Sequence, residues 1–232
     1  MKPIKIAAIV PAAGIGSRMQ SAIPKQYLTI NHKTILEHTL TRLASVKGID
    51  HICVAISPDD IWFSNIQLEP TRFSQVLGGK ERADSVFNAL TYLKEQAFDW
   101  VLVHDAARPL VQVDDIEHLI TQCISHNQGG ILASKVKDTI KRGDTSIKET
   151  VPRDDLWQAL TPQMFKPDEL YQALLLGAKQ GAVITDEASA MEFSGHAVML
   201  VAGRSDNIKI TTPEDLTLAE FYLTNSKDLE KK

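Results

Sequence analysis

Cysteine is nearly absent from this chain of 232 residues, and the two that occur, Cys53 and Cys123, sit in neither a CxxC pair nor a Cys/His cluster. That excludes a disulfide scaffold and a zinc site of ordinary spacing, and implies two free thiols in a reducing compartment. Long hydrophobic runs are missing too. No stretch approaches the ~20 apolar residues of a membrane span, and the start Met1-Lys2-Pro3-Ile4-Lys5 runs straight into a short apolar segment without a cleavage-like region. A cytoplasmic protein without membrane association is expected. Excess positive charge is lacking: 25 Lys+Arg stand against 29 Asp+Glu, a formal net charge of −4. A general nucleic-acid binder would need a broad basic face. A small anionic substrate stays possible, because a few local cations can dominate one cleft. Internal repeats and low-complexity tracts are absent.

What the chain does have is a rhythm. Short apolar runs at Ile4–Val10, His51–Ser57, Trp100–His104 and Gly130–Val136 are nearly continuous in Val, Ile, Ala and Leu, as in strands buried on both faces of a parallel sheet. Amphipathic stretches lie between them. Leu36, Leu40 and Leu43 make one apolar stripe, and Val86, Leu90, Leu93 and Ala97 another. The alternation implies an α/β fold, a Rossmann-like three-layer sandwich. It breaks at residues 137–155, a polar stretch with weak alternation around Ile140 and Ile147 and a possible turn at Gly143-Asp144. Pattern alone leaves this segment either a mobile loop or a protruding hairpin arm; an arm would need a partner subunit to cover it. Thr212 followed by Pro213 marks the start of a last helix with Leu216, Ala219 and Leu223 on its inner stripe. A charged tail from Asn225 is expected to fray. The whole is taken as one domain carrying the arm at about residues 137–155.

Three segments carry candidate chemistry. After the first run comes Val10-Pro11-Ala12-Ala13-Gly14-Ile15-Gly16-Ser17-Arg18-Met19. Small residues let backbone N–H groups approach an anion closely. The loop lacks the Walker pattern, and Met19 stands where a dinucleotide fingerprint has its third glycine. Arg18 and Lys25 add two cations where open α/β sheets bind ligands. The second segment, Gly78-Gly79-Lys80-Glu81-Arg82-Ala83-Asp84-Ser85, joins a glycine pair to a helix start. It suits either a base- or ribose-contacting loop with Ser85 as polar reader, or a plain turn with first-turn acids. The third, His104-Asp105-Ala106-Ala107-Arg108, ends a buried strand on a carboxylate suited to holding Mg²⁺ against phosphates. His104 fits an internal hydrogen-bonding role. Distal polar positions, Thr139, Arg153, Thr185-Asp186-Glu187 and Arg204-Ser205-Asp206-Asn207-Ile208-Lys209, could be plain surface or a pocket for a second phosphorylated substrate.

Taken together, VPAAGIGSRM, PKQY, GGKERADSV, VHDAARP, DTIKR, LTPQMF, TDEASAME, GRSDNIKIT and PEDL, in that order, resemble the 2-C-methyl-D-erythritol 4-phosphate cytidylyltransferase family across nearly the whole chain. The resemblance implies transfer of a cytidylyl group from CTP to a phosphorylated polyol, with Mg²⁺ or another divalent cation. It implies catalytic roles for Arg18 and Lys25, and CTP contacts from Ala12, Ala13, Gly14, Gly79, Ser85 and Ala106. Asp105 is implied as the metal ligand. Thr139, Arg153, Thr185, Asp206 and Lys209 are implied to hold the polyol phosphate. It further implies a homodimer whose arms interlock, with Thr139 and Arg153 reaching the neighbouring subunit's pocket, and no second catalytic domain. A ribitol 5-phosphate cytidylyltransferase of the same fold is the nearest alternative. A dehydrogenase is disfavoured, because Ser57-Pro58 stands where a nicotinamide-cofactor strand would end in an acid.

Overall fold

The computed structural model describes residues 3–14, 23–66 and 72–229. Its elements are β1 (Ile6–Pro11), β2 (Thr29–Ile30), β3 (Lys33–Thr34), α1 (Ile35–Ser45), β4 (His51–Ile56), β5 (Phe73–Leu77), α2 (Arg82–Leu93), β6 (Trp100–Val103), α3 (Val113–His126) and β7 (Gly130–Lys135). They continue with β8 (Ile140–Gly143), β9 (Ile147–Val151), β10 (Trp157–Phe165), α4 (Pro167–Gln180), α5 (Glu187–Phe193), β11 (Met199–Ala202) and α6 (Pro213–Leu229).

Seven strands form one sheet in the order β11-β7-β10-β6-β1-β4-β5. Alternation along each strand divides the core. Ile6, Ala8 and Val10 of β1 pack with Leu36, Leu40 and Leu43 of α1 and with Ile116 and Leu119 of α3. Ala7 and Ile9 face Val86 and Leu90 of α2, Leu170 of α4 and Met191 of α5. This is the three-layer sandwich that the apolar runs imply. Helix starts are chemically marked. Thr34 Oγ1 accepts from the Glu37 N–H at 3.1 Å while Glu37 accepts from the Thr34 N–H at 2.6 Å, a reciprocal cap for α1. Pro213 opens α6, and Asp215 accepts from the Thr212 N–H at 2.9 Å.

Three sequence expectations change. The sheet is mixed, because β10 runs antiparallel to both β6 and β7. Pro162 disguises this strand, since proline cannot donate to a ladder. The pairing with β7 jumps from Ala159 to Gln163, which steps over the proline. The α2 stripe ends at Leu93. Ala97 lies beyond it with φ 52° and is exposed. Helix α6 continues through Leu229, so residues 225–229 are helical rather than frayed. Within residues 137–155, β8 and β9 pair antiparallel as a separate two-stranded ribbon, a hairpin rather than an unpaired loop, and Ile147 is 67% exposed.

The topology fixes the ligand position. From β1 the chain proceeds outward to β4 and β5, then returns to place β6 on the other side of β1. The loops leaving the carboxyl ends of β1 and β6 therefore diverge and open a crevice between them.

Candidate active site

The crevice is a cleft of about 230 Å³ lined from three loops and one later strap. The loop after β1 contributes Pro11–Gly14. Its shape is held by Gln26, buried beneath it, whose amide donates to the Ala12 carbonyl at 2.6 Å and the Gly14 carbonyl at 3.1 Å. The Ala12 N–H donates to the Ala55 carbonyl at 2.7 Å, so that residue lines the cleft with its amide already engaged. The loop after β5 passes immediately behind. A Cβ on Gly78 would stand 2.4 Å from Ala13 Cβ, and one on Gly79 would stand 2.2 Å from Asp84 Cβ. Glycine is thus required there by close approach. Ser85, buried, accepts from the Gly79 N–H at 3.0 Å and donates to the Glu81 carbonyl at 3.3 Å. Its hydroxyl fixes the glycine turn against α2.

Asp105 follows β6 and forms the electrostatic centre. Its Oδ1 accepts from Arg82 Nε at 2.9 Å, and its Oδ2 lies 2.8 Å from Lys209 Nζ and 3.6 Å from Arg108 Nε. Burial alone would raise its pKa. The positive charges of Arg82, Lys209 and Arg108 outweigh that and hold the carboxyl far below the ordinary carboxylate range. Arg82 also grips Glu187 with both terminal nitrogens, at 2.6 and 2.9 Å.

The loop itself is tied from below. His104 is fully buried; its Nε2 faces the Arg108 carbonyl at 3.1 Å and its Nδ1 faces Thr161 Oγ1 at 2.9 Å. A carbonyl can only accept, so Nε2 carries the proton and Thr161 donates to Nδ1. Thr161 Oγ1 in turn accepts from the Asp105 N–H at 3.1 Å, and its carbonyl accepts from Asn207 Nδ2 at 2.8 Å. Burial drives the His104 pKa down to about 4, so the ring is neutral at pH 7. The strap carrying Lys209 is joined to the same loop, since the Ile210 N–H donates to the Ala107 carbonyl at 2.9 Å. Lys25 Nζ donates to the Ile210 carbonyl at 2.9 Å from the opposite wall.

With this geometry in hand, likeness to known proteins becomes informative. The family model described as 2-C-methyl-D-erythritol 4-phosphate cytidylyltransferase matches residues 6–225. A protein of that name from Pseudoalteromonas translucida is 59% identical over 223 residues, covering 96% of this chain and 92% of the relative. The chain belongs to the 2-C-methyl-D-erythritol 4-phosphate cytidylyltransferase family. One from Vibrio cholerae is 55% identical, covering 95% and 97%. The crystal structure of a family member from Francisella tularensis superposes with a TM-score of 0.82 at 38% identity, covering 94% of this chain and 99% of that one.

As a cytidylyltransferase family member, the chain brings together most residues that sequence reasoning singled out. Ala12, Ala13, Gly14, Lys25, Gly79, Ser85, Asp105, Ala106 and Lys209 all line the cleft. Arg18 lies outside the described residues. Four candidates do not line the cleft within one protomer. Thr139 and Arg153 are exposed at the base of the arm, where Arg153 donates to the Lys137 carbonyl. Thr185 borders an adjoining cavity shared with Arg82 and Glu187. The Asp206 carboxylate accepts from Arg204 Nε at 3.0 Å within its own turn. Arg82, Gln26 and Glu187 lay in segments the sequence singles out but had no role assigned to them, and Thr161 was the omission. The available signals were a cation three positions after a glycine pair, at a helix start, and an acid heading a helix inside an otherwise apolar layer.

The donors were compared with what a divalent cation needs. Among the described residues no three His, Cys, Asp or Glu converge on one point. A single deeply set carboxylate does not make a protein-only site. Its oxygens already face Arg82 at 2.9 Å and Lys209 at 2.8 Å, so it suits Mg²⁺ only together with substrate phosphates, with the cation taking the place of Lys209.

Proposed function

We propose that the chain transfers the cytidylyl group of CTP to the phosphate of 2-C-methyl-D-erythritol 4-phosphate, releasing pyrophosphate. The observation that carries this reading is the cleft at the sheet's reversal point, where Lys25, Arg82, Lys209 and the Asp105 carboxylate surround a small-residue loop. Family membership supplies the substrate pair.

The nucleophile is a phosphate oxygen of the acceptor, already anionic at neutral pH. Its bond to the α-phosphorus forms as the bond from that phosphorus to the bridging oxygen breaks, and the electron pair leaves with pyrophosphate. No proton need be removed, so no general base is required. His104 is unsuited to the task, buried and committed on both nitrogens. The difficulty is two polyanions meeting, and the answer is alignment and fixed positive charge. Lys25, tethered to the Ile210 carbonyl, and Arg18, seven positions earlier in the sequence, neutralise charge on the α-phosphate and the leaving group. Gly14 and Ala13 give the triphosphate close backbone approach, and Ser85 and Gly79 shape the wall for base and ribose beside Ala106. Asp105 would hold Mg²⁺, which when bound adds charge neutralisation to the phosphates. Lys209 guides the acceptor phosphate, with Thr185, Asp206 and a partner's Thr139 and Arg153.

The exposed arm supports a homodimer in which each ribbon covers the other protomer. Among the described residues no helix is long and apolar enough to cross a membrane, in keeping with work in the cytoplasm. The deciding experiment measures pyrophosphate release with CTP, ATP, GTP and UTP crossed against 2-C-methyl-D-erythritol 4-phosphate and ribitol 5-phosphate. Turnover confined to CTP with the former is expected. Preference for ribitol 5-phosphate would overturn the acceptor, and CTP binding without pyrophosphate release would overturn the reaction.

A further inference from the structure

Arg82 and Glu187 are separated by 105 positions, yet each is the first residue of its helix and the two meet behind the cleft. Glu187 is 1% exposed. A carboxylate so buried is costly unless paired and hydrogen-bonded, and both of its oxygens are engaged by Arg82, at 2.6 and 2.9 Å. Its helix start is fixed as well. Gln163 of β10 donates to Asp186 Oδ2 at 2.8 Å and accepts from the Ala188 N–H at 2.8 Å. Glu187 is therefore anchored, and Arg82 is held by both terminal nitrogens.

The consequence falls on Asp105. A guanidinium prefers to clasp a carboxylate through two parallel bonds. With both terminal nitrogens on Glu187, Arg82 reaches Asp105 by Nε, to one oxygen, at 2.9 Å. Without Glu187, Arg82 could rotate to clasp both Asp105 oxygens and cover the carboxylate.

We infer that Glu187 is a positioning residue for cytidylyl transfer, its two-point grip on Arg82 keeping that guanidinium off the second Asp105 oxygen, which Lys209 holds at 2.8 Å and could yield to a cation carried in with the nucleotide. The inference rests on the reading of this cleft as the CTP site. It extends that reading to a residue that touches neither nucleotide nor acceptor.

The test compares full-length wild type, Glu187→Gln, Arg82→Gln and the double variant in two measurements. One is kcat and KM for each substrate by pyrophosphate release. The other is Mn²⁺ affinity in the presence of CTP without acceptor, followed by electron paramagnetic resonance. Glu187→Gln is expected to lower kcat and weaken Mn²⁺ binding, each by about tenfold to a hundredfold, the range typical of residues that support a metal ligand. KM for the acceptor should change little. In the Arg82→Gln background the same substitution should add almost nothing, because nothing remains to be held. A Glu187→Gln enzyme with unchanged kcat and Mn²⁺ affinity, altered only in melting temperature, overturns the inference, as do equal losses in both backgrounds. If Glu187→Gln does not fold, Glu187→Asp keeps the charge but withdraws it by one methylene. The same losses are then expected, and wild-type behaviour overturns the proposal. Should wild type itself release no pyrophosphate, the functional reading fails, and the Mn²⁺ measurement alone decides the role of Glu187.

Discussion

Lys25 shows how one side chain can be both visible and ambiguous. Its place after the glycine loop marks it as a candidate, while its bond to the Ile210 carbonyl ties it to the far wall. If it stabilises charge in the transition state, Lys25→Ala lowers kcat by ~10²-fold or more, the scale of losing an oxyanion donor. Steady-state kinetics check this, and a variant changed in KM alone would contradict it. His104 carries a prediction about stability. Its folded pKa of about 4 lies below the ordinary histidine value of 6.5, so between those values the unfolded chain binds the proton more readily. Stability from its neutral form is complete above pH 6.5 and lost as pH falls towards 4, a loss on the order of 3 kcal/mol. Thermal unfolding from pH 7.5 to 4.5 in chelator-containing buffer should show that slope, and His104→Gln should flatten it. Asp105 adds none in this window, because its carboxyl is held ionised well below it. The sequence displays Asp105 because a carboxylate terminating an apolar strand is conspicuous. It hides Arg82 and Glu187, because an ion pair between residues 105 positions apart leaves no local pattern.

Among the elements, the β5–α2 turn makes the sharpest prediction. An added methyl at Gly78 would meet Ala13 Cβ at 2.4 Å and Ser85 Oγ at 2.8 Å. Gly78→Ala must therefore push the two phosphate-side loops apart. A loss of roughly 1–3 kcal/mol is expected from overpacking, together with weaker CTP binding. Chemical denaturation and calorimetric titration measure the two effects. Helices α1, α2 and α6 were legible from their apolar stripes and caps, and β1, β4, β6 and β7 from continuous apolar runs. Strand β10 was not, since Pro162 argues against a central strand and only the tertiary register shows how it is bypassed. The arm was legible as a break in rhythm with weak alternation about a turn, a hairpin that pattern alone could not separate from a loop, because neither face of the ribbon is buried within the protomer.

At the scale of the whole molecule, the reversal of strand order at β1, with parallel neighbours on both sides, makes the cleft, and the α/β rhythm announced the layers without the strand order. The proposed dimer predicts complementation. Asp105→Asn and Arg153→Ala damage different protomers' contributions to one site. Each variant alone should be nearly inactive with saturating CTP and limiting acceptor. Mixed after dissociation and reassembly, they should recover about a quarter of wild-type activity, since half the symmetric dimers are hybrid and each hybrid retains one intact pocket. No recovery would place Arg153 in its own subunit's site. Arg153→Ala should also raise KM for the acceptor more than for CTP.

A ribbon with no cover of its own has a further consequence. Residues 140–151 form an exposed ribbon with Ile147 bare, and in the proposed dimer a working pocket is something two molecules must find each other to make. Catalytic output per milligram should then fall on serial dilution and return when enzyme is added back, even though each individual chain stays folded throughout.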